Sequence, residues 1–483
     1  MKILKKLQYH SKKIPLFKAI EGEHFNCNYK ELYLTVNNIQ KFLLSILNLK
    51  KIIIFGEKKS LAYPIILAAL KSKITYVPIN SDTPKSRVNK IARLTNSQLI
   101  FCVSNNLIKI KGIQTIQIDD FKFLKKKFSI KKKNNKHSNK IAYTIFTSGS
   151  TGEPKGVNIS YKALESYCTW LEKKFRVYKM RCSQFSEINF DLSITDIYGT
   201  IISGGTICAV ESNFYKNFPG RFIYDKKIDY TVIVPSVIDL INKGNNLSGK
   251  YFKTLKNIFF CGEPLKKNHL DLIFKAKKNL KILNTYGPTE FTVSCTEILL
   301  SNKNYKNYCE KFISIGKPIK GTKFKILKVN KKNNRNNQGL LLLNGKQLFD
   351  GYISDKKIEN RIIKYKNQKF YNTGDIVKKI NKNYYFIKRD DRQIKKNGYR
   401  IELDEIDNLI QNKIKLDFCK SFYKYSKIIV VIKSNQKRNF IEEIITRYLP
   451  KYMMPNKIIY IKKIPLNKNF KVDNNKIYKS ISK

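Results

Sequence analysis

Acidic residues are scarce in this chain of 483 residues. Only 36 Asp and Glu accompany 95 Lys and Arg, and the formal net charge is +59. Such an excess is typical of nucleic-acid-binding proteins, but here it is mostly lysine, spread along the whole sequence together with asparagine and isoleucine. We attribute it to the codon bias of an A/T-rich genome and predict no specific nucleic-acid partner, only weak, salt-sensitive association with RNA.

The sequence also lacks the usual metal, disulfide and membrane patterns. Its four histidines are scattered, and its nine cysteines form no C-x-x-C pair, which argues against a zinc site and favours reduced thiols. No apolar run approaches the roughly 18 residues that a membrane span needs, and the first residues do not resemble a signal peptide. We therefore expect a cytoplasmic protein without membrane insertion.

The order of apolar segments predicts an α/β protein. A chain of 483 residues with 42% hydrophobic residues is expected to form two or three domains. Through the first two-thirds, segments of helical period alternate with short β-branched runs at 51–56, 74–80, 98–103, 206–211, 229–235 and 257–262. This alternation is typical of βαβ units, in which helices cover parallel sheets.

The pattern changes twice in the last third of the chain. From about residue 310, closely spaced strands with turn signals predict a β-rich subdomain. After Arg389 the patterns predict a compact α+β unit, with helices at 401–414 and 438–449 and strands at 427–434 and 457–465. We predict a large N-terminal domain of several subdomains, residues 1–390, and a small mobile C-terminal domain, residues 391–483.

The segment YTIFTSGSTGEPKG has the composition of a polyphosphate-binding loop. Its glycines let the backbone approach a ligand, its hydroxyls lie beside exposed N–H groups, and its lysine adds a positive charge. The residues concerned are Thr147, Ser148, Gly149, Ser150, Thr151, Gly152, Lys155 and Gly156. The P-loop spacing is not met, because Pro154 stands where a second glycine is required. We predict a nucleoside triphosphate as ligand, and an ordinary turn is the alternative.

Two further segments place polar side chains beside turns. In NTYGPTEFT, Tyr286 can stack on a base, Thr289 can donate to a phosphate oxygen, and Glu290 is an oxygen ligand suited to Mg²⁺. In YNTGDIV, Asp375 can accept hydrogen bonds from ribose hydroxyls. Each segment alone is also compatible with an ordinary loop turn.

Asp191, in NFDLSITD, lies among apolar residues. A buried carboxylate must find a cation or a donor, or else become protonated. The ammonium group of a substrate would satisfy it, and the alternative is an aspartate that caps the following helix.

Seven ordered segments together resemble the core motifs of the adenylate-forming superfamily, and its amino-acid-activating branch fits best. They are YTIFTSGSTGEPKG, FDLSITD, NTYGPTE, YNTGD, RDDRQIKKNGYRIELDEID, LPKYMMP and IPLNKNFKVD, and the resemblance covers nearly the whole chain. It implies an enzyme in which a carboxylate attacks the α-phosphate of ATP, pyrophosphate leaves and an acyl-adenylate forms. The small domain then rotates, and a thiol takes the acyl group from AMP.

The resemblance implies a role for each matching residue. The residues that would bind ATP or AMP are Thr147, Ser148, Gly149, Thr151, Gly152, Lys155, Asn284, Tyr286, Gly287, Thr289, Asp375, Arg389 and Lys471. Glu290 would bind Mg²⁺, and Lys471, Thr289 and Lys395 would be catalytic. Asp391 matches the hinge between the domains, and Lys395 lies with Gly398 on the loop that is presented during thiol transfer.

The resemblance also suggests the substrate. Asp191 matches the aspartate that binds an α-amino group, and Cys261 and Val293 would crowd the pocket around a small side chain of D configuration, as in members that activate D-alanine. The acyl group would go to the phosphopantetheine of a separate carrier protein. Three alternatives remain open: activation of L-alanine, glycine or proline in a peptide or polyketide pathway, a non-enzymatic nucleotide- or polyanion-binding remnant, and a merely structural Cys261.

Overall fold

The structure, a computed structural model, describes residues 1–118, 139–149, 154–328, 337–354, 361–416, 418–465 and 472–481. Within these ranges the strands form five sheets. The α-helices are Lys2–Lys13, Tyr29–Ser45, Lys59–Lys71, Lys85–Thr95, Tyr161–Lys174, Ser193–Ser203, Asn213–Asn217, Pro219–Asp225, Ser236–Lys243, Lys267–Ala276, Leu403–Ile414, Arg438–Tyr448 and Asn474–Ser480. Short 3₁₀ turns lie at Thr289–Phe291, Tyr305–Tyr308 and Lys451–Met453.

Two mixed sheets form the first two-thirds of the chain. In spatial order, one contains Tyr352–Ile353, Lys155–Ser160, Ile141–Thr147, Thr75–Ile79, Lys51–Phe55, Leu99–Cys102 and Gln114–Gln117. The other contains Lys317–Pro318, Thr296–Leu300, Lys281–Tyr286, Asn257–Phe260, Tyr230–Ile233, Arg181–Gln184, Thr206–Ala209, Lys18–Glu21 and Asn26–Asn28. The six β-branched runs of the sequence all form strands here, and they pair in parallel. The predicted βαβ organisation is confirmed.

The smaller sheets agree with the change of pattern predicted for the last third of the chain. A third sheet joins Thr322–Leu327, Gln338–Gly345, Gln368–Ile380 and Ile362–Tyr365, and Asn383–Arg389 pairs with Gln368–Ile380. Gln393–Lys396 and Tyr399–Glu402 form a hairpin, here called the hairpin 393–402. The last sheet joins Phe418–Lys424, Lys427–Lys433 and Lys457–Tyr460. The β-rich subdomain and the α+β unit are therefore present.

Apolar packing separates the C-terminal unit from the rest. Its own buried cluster runs from Ile401 to Met453 and includes Ile406, Val430 and Ile441. A boundary at residues 390 and 391 remains a prediction. Within the described ranges, no helix is both long and apolar enough to span a membrane. All nine cysteines are free, in agreement with the expected reduced thiols.

Candidate active site

The candidate site lies where parallel strands of the larger sheet end. Cys261 directly follows Asn257–Phe260, and Tyr286 ends the neighbouring parallel strand Lys281–Tyr286. In open α/β sheets, ligands bind outside the carboxyl ends of such strands. A narrow cleft there is lined by residues from distant motifs, namely Asp191, Cys261, Tyr286, Gly287, Thr289, Asp375, Arg389, Lys395 and Arg400.

A wider cavity of about 410 Å³ adjoins this cleft. It shares Tyr286, Asp375, Arg389 and Lys395 with the cleft, and Asn284 lines its wall. Ligand pockets of several hundred Å³ are typical of small-molecule sites. The two spaces together suit a nucleotide with a second, smaller group attached.

Asp375 is held by two donors from different segments. Tyr286 Oη donates to its Oδ2 at 2.5 Å, and Arg389 Nη1 donates to its Oδ1 at 2.8 Å. Asp375 and Arg389 face each other across the antiparallel pair of strands that carries them. Each carboxylate oxygen keeps one further lone pair, so Asp375 retains the capacity to accept hydrogen bonds from a diol.

Asp391 lies between the β-rich sheet and the hairpin 393–402. Arg389 Nε donates to its Oδ1 at 2.8 Å, and Arg361 Nη2 donates to its Oδ2 at 2.9 Å. Burial raises the pKa of Asp391, but the two guanidinium groups outweigh it and hold this pKa at about 2. The aspartate predicted to be the hinge is therefore charged and clamped in this arrangement, and its role in domain rotation stays a prediction.

Asp191 is buried and lines the smaller cleft. The following helix, Ser193–Ser203, has Leu192 at its N-cap and no side-chain cap, which argues against the helix-capping alternative. Burial raises the pKa of Asp191, and Thr289, Lys395 and Arg400 oppose this shift. A cationic ligand would stabilise the charged form of a carboxyl group in this setting.

Cys261 lines the same cleft and packs against Val293. Cys261 Sγ lies 3.6 Å from Ser294 Oγ and 3.8 Å from the Val293 carbonyl oxygen. Burial raises the pKa of Cys261, so its thiol is neutral. Val293 has a φ of 70°, unusual for a β-branched residue and typical of strain at functional sites. Gly287 packs against this turn so closely that a Cβ there would lie 2.3 Å from the Val293 carbonyl oxygen.

The predicted polyphosphate loop begins at the end of the strand Ile141–Thr147. Ser148 Oγ donates to the Arg400 carbonyl oxygen at 2.9 Å and accepts from Glu402 N at 2.9 Å. Gly149 N donates to Glu405 Oε2 at 3.0 Å. Thr147 Oγ1 is buried and has no hydrogen-bond partner among the described residues. The predicted site residues Thr151, Gly152 and Lys471 lie outside the residues that the structure describes.

Lys155 and Glu290 form the charged end of the site. Lys155 Nζ lies 4.0 Å from Glu290 Oε1 and 3.9 Å from Glu402 Oε1. Burial, together with the charge of Arg400, lowers the pKa of Lys155 to about 8. Glu290 is fully buried, and its Oε1 accepts from Tyr352 Oη at 2.7 Å.

Arg400 supplies the closest positive charge to Glu290. Its Nη1 donates to Glu290 Oε2 at 2.6 Å. Burial alone would raise the pKa of Glu290, but Arg400 and Lys155 hold that pKa far below its usual range. The residue predicted to bind Mg²⁺ is therefore charged and paired with a guanidinium group in this arrangement.

Sequence reasoning missed three residues that reach the site, Arg400, Glu402 and Glu405. They belong to the segment GYRIELDEI, which was assigned to a family motif without individual roles. The sequence feature that could have identified these residues is the run of charges within an otherwise amphipathic helix pattern. Gly398, which was predicted to lie on the transfer loop, donates its N–H to Glu263 Oε1 at 2.7 Å.

Comparison with known families decides the assignment. The AMP-binding enzyme family matches residues 7–353. The chain belongs to this family. The predicted resemblance to adenylate-forming enzymes, and the prediction that the chain is an enzyme, are therefore confirmed.

This AMP-binding enzyme also has curated relatives. It is 30% identical over 446 residues to the D-alanine--D-alanyl carrier protein ligase of Staphylococcus epidermidis, with 89% of each chain covered. It is 28% identical over 515 residues to the ligase of the same name from Listeria monocytogenes, covering 100% of this chain and 99% of that one.

Solved structures support the fold. The Vibrio cholerae adenylation domain AlmE, in complex with glycyl-adenosine-5'-phosphate, superposes with a TM-score of 0.82 at 21% identity and covers 100% of this chain and 97% of that one. Holo-PA1221, a protein with adenylation and PCP domains, has a TM-score of 0.82 at 20% identity and covers 99% of this chain and 84% of that one. The predicted fold of adenylate-forming enzymes is confirmed.

Proposed function

We propose that this AMP-binding enzyme activates a small amino acid, most favourably D-alanine, with ATP and transfers it to the phosphopantetheine thiol of a separate carrier protein. One observation carries the proposal: a buried carboxylate, Asp191, lines a narrow cleft together with Cys261, and this cleft adjoins a nucleotide-sized cavity. The two relatives named as D-alanine--D-alanyl carrier protein ligases support the same substrate and acceptor.

The nucleotide would lie in the wider cavity. Tyr286 would stack on the base, Asn284 would line the base pocket, and Asp375 with Arg389 would bind the ribose. Gly287 and Thr289 would lie beside the α-phosphate, where the Thr289 hydroxyl is a donor. The β- and γ-phosphates would be bound by Lys155 together with Thr147, Ser148, Gly149, Thr151 and Gly152.

Glu290 would hold Mg²⁺ against the phosphates. Among the described residues no group of three His, Cys, Asp or Glu could bind a metal. A single buried carboxylate fits Mg²⁺ nevertheless, because this ion usually takes one or two carboxylates and completes its shell with phosphate oxygens and water. The bound ion would neutralise charge on the phosphates as pyrophosphate departs.

Asp191 would orient the amino acid for the first reaction. Its carboxylate would bind the ammonium group, and Cys261 with Val293 would leave room only for a small side chain. The substrate carboxylate would then attack the α-phosphate, with Lys471 bridging the two groups as their charge develops. The same narrow space also suits glycine, which makes a ligase for another small amino acid the second candidate.

Lys395 would act in the second reaction. The hairpin 393–402 places it on the wall of the cleft that contains Asp191 and Thr289. A positive charge here would stabilise AMP as it leaves during attack by the thiol. Because ATP and carrier proteins are intracellular reactants, we also propose a cytoplasmic location.

ATP–pyrophosphate exchange with a panel of acids tests the proposal. We expect exchange with D-alanine to exceed that with L-alanine, glycine and proline, and we expect Lys471→Ala to abolish it. Preference for another amino acid would support the second candidate instead. Exchange with fatty or aryl acids alone, or none with any amino acid, would refute both.

A further inference from the structure

A buried glutamine, Gln347, contacts the turn that supports one side of the proposed amino-acid pocket. It lies on the connection between the strands Gln338–Gly345 and Tyr352–Ile353, and it is 3% exposed. Gln347 is not among the described residues that line the cleft or the adjoining cavity. Burying a side-chain amide is costly unless its hydrogen bonds are satisfied, so the partners of this amide indicate its role.

The amide of Gln347 binds the carbonyl groups of one turn, residues 291–294. Its Nε2 donates to the Ser294 carbonyl oxygen at 2.8 Å and lies 3.4 Å and 3.3 Å from the carbonyl oxygens of Phe291 and Thr292. In return, Thr292 Oγ1 donates to the Gln347 carbonyl oxygen at 2.7 Å. One residue therefore holds the turn 291–294 at both of its ends.

The turn 291–294 has a backbone conformation that its residues disfavour. Thr292 has a φ of 51° and Val293 a φ of 70°, which lie in the left-handed region that β-branched residues rarely adopt. Such a conformation persists only where surrounding contacts enforce it. Both residues are almost fully buried, so bonds to water cannot readily replace those to Gln347.

The same turn supports two residues that line the cleft, Cys261 and Gly287. Cys261 Sγ lies 3.8 Å from the Val293 carbonyl oxygen and 3.6 Å from Ser294 Oγ. Gly287 approaches the turn so closely that a Cβ there would lie 2.8 Å from Ser294 Cα. A shift of the turn would therefore move the wall of the cleft, because close-packed interiors transmit displacement.

We propose that Gln347 is a positioning residue for the amino-acid pocket. By holding the turn 291–294 in its disfavoured conformation, it fixes Cys261 and thereby sets the preference for a small side chain of D configuration. It acts through the turn and not by contact with the substrate. The inference rests on the proposed function, which assigns this pocket to the amino-acid side chain. Without the amide of Gln347 the turn can relax, and Cys261 can yield to a differently oriented side chain.

Gln347→Met in the full-length protein tests this, because methionine has a similar volume and no amide. In ATP–pyrophosphate exchange, we expect the ratio of kcat/KM for D-alanine to that for L-alanine to fall on the order of tenfold, the effect of about one methylene group in a pocket. The KM for D-alanine should rise more than the KM for ATP, since Cys261 lines the cleft and not the wider cavity. A residue that only stabilised the fold would lower activity towards both enantiomers in equal proportion.

Two further variants separate positioning from folding. Gln347→Glu keeps the shape but places carboxylate oxygens against carbonyl oxygens, so the D-alanine preference should fall at least as far. Gln98→Met is the matched control and should leave the preference unchanged. Gln98 Nε2 donates at 2.8 Å to the carbonyl oxygen of Asn48, which has a φ of 53° and lies outside the candidate site. If both Gln347 variants fail to fold, the role of Gln347 is structural and the inference is wrong.

Amide hydrogen exchange provides a measurement that needs no substrate. Exchange over residues 291–295 should be faster in Gln347→Met than in the wild-type protein, and unchanged there in Gln98→Met. If the wild type activates D-alanine and both Gln347 variants keep its preference, the inference is wrong while the proposed function stands. If the wild type activates no amino acid, the proposed function fails and the inference fails with it.

Discussion

Replacing Asp191 by asparagine removes a charge from the candidate amino-acid pocket with little change of size. Asp191 is 8% exposed, so an ammonium group bound beside it exchanges most of its water for one carboxylate. Truncating one partner of a buried charge pair costs about 2–5 kcal/mol, which corresponds to a factor of about 30 to 5000 in affinity. We expect the KM for the amino acid to rise within that range.

The same substitution should change the pH dependence. Burial raises the pKa of Asp191, against the hydrogen bond from Thr289 and the charges of Lys395 and Arg400. Below this raised pKa the free carboxyl is protonated and cannot pair with an ammonium group. In the wild-type enzyme kcat/KM for the amino acid should therefore increase with pH until the pH exceeds that pKa, and Asp191→Asn should remove this increase.

The assay is ATP–pyrophosphate exchange at saturating ATP, with D-alanine varied at several pH values. Propionate, which has the same carbon chain without the amino group, is measured in parallel. We expect Asp191→Asn to lose activity towards D-alanine and to lose little towards propionate. Asp225→Asn, which changes an ion pair with Arg221 on the helix Pro219–Asp225, is the control. An equal proportional loss for both acids would refute the assigned role of Asp191.

Three further substitutions test the pocket and the fold. Cys261→Ala should reduce the preference for D- over L-alanine in the exchange assay by about tenfold, the effect of roughly one methylene group in a pocket. Glu21→Gln should lower the free energy of unfolding in urea by about 2 kcal/mol at pH 7. The reason is that Arg181 holds the pKa of Glu21 at about 2, compared with 4.5 for the free group, although burial alone would raise this pKa. A depressed carboxyl pKa stabilises the fold above pH 4.5, so this difference from wild type should vanish between pH 4.5 and 2, and a constant difference would contradict the assignment. Gly199→Ala should lower the free energy of unfolding by about 1–3 kcal/mol, because the added Cβ would lie 2.6 Å from Phe175 Cδ1. An unchanged melting temperature would show that the Phe175 ring can move aside without loss of stability.

Local sequence patterns were sufficient to predict the fold class and most elements. The run at 51–56 forms Lys51–Phe55, and the amphipathic pattern at 401–414 forms Leu403–Ile414. The start of that helix was missed by two residues, because Ile401 and Glu402 pair in the hairpin 393–402. A helical period in the sequence does not reveal that its first residues are recruited into a strand.

Individual motifs predicted which side chains carry chemistry, but not how they are paired. Asp375 and Arg389 could each be selected from their segments, whereas their ion pair depends on a strand register that local sequence does not encode. Asp191 was expected in an apolar setting and is buried. Its neighbours in the cleft come from segments up to about 200 residues away, which no local pattern can align.

By itself, the sequence determined the α/β order of elements, the motifs and the family, because periodicity and motif residues are local properties of the chain. Only the tertiary structure decided that Arg400 pairs with Glu290 and that Glu405 binds the N–H of Gly149. These contacts join residues 110 and 256 positions apart. They exist because a separately packed C-terminal unit docks on the N-terminal sheets, and the docking depends on the shape and charge of two folded surfaces.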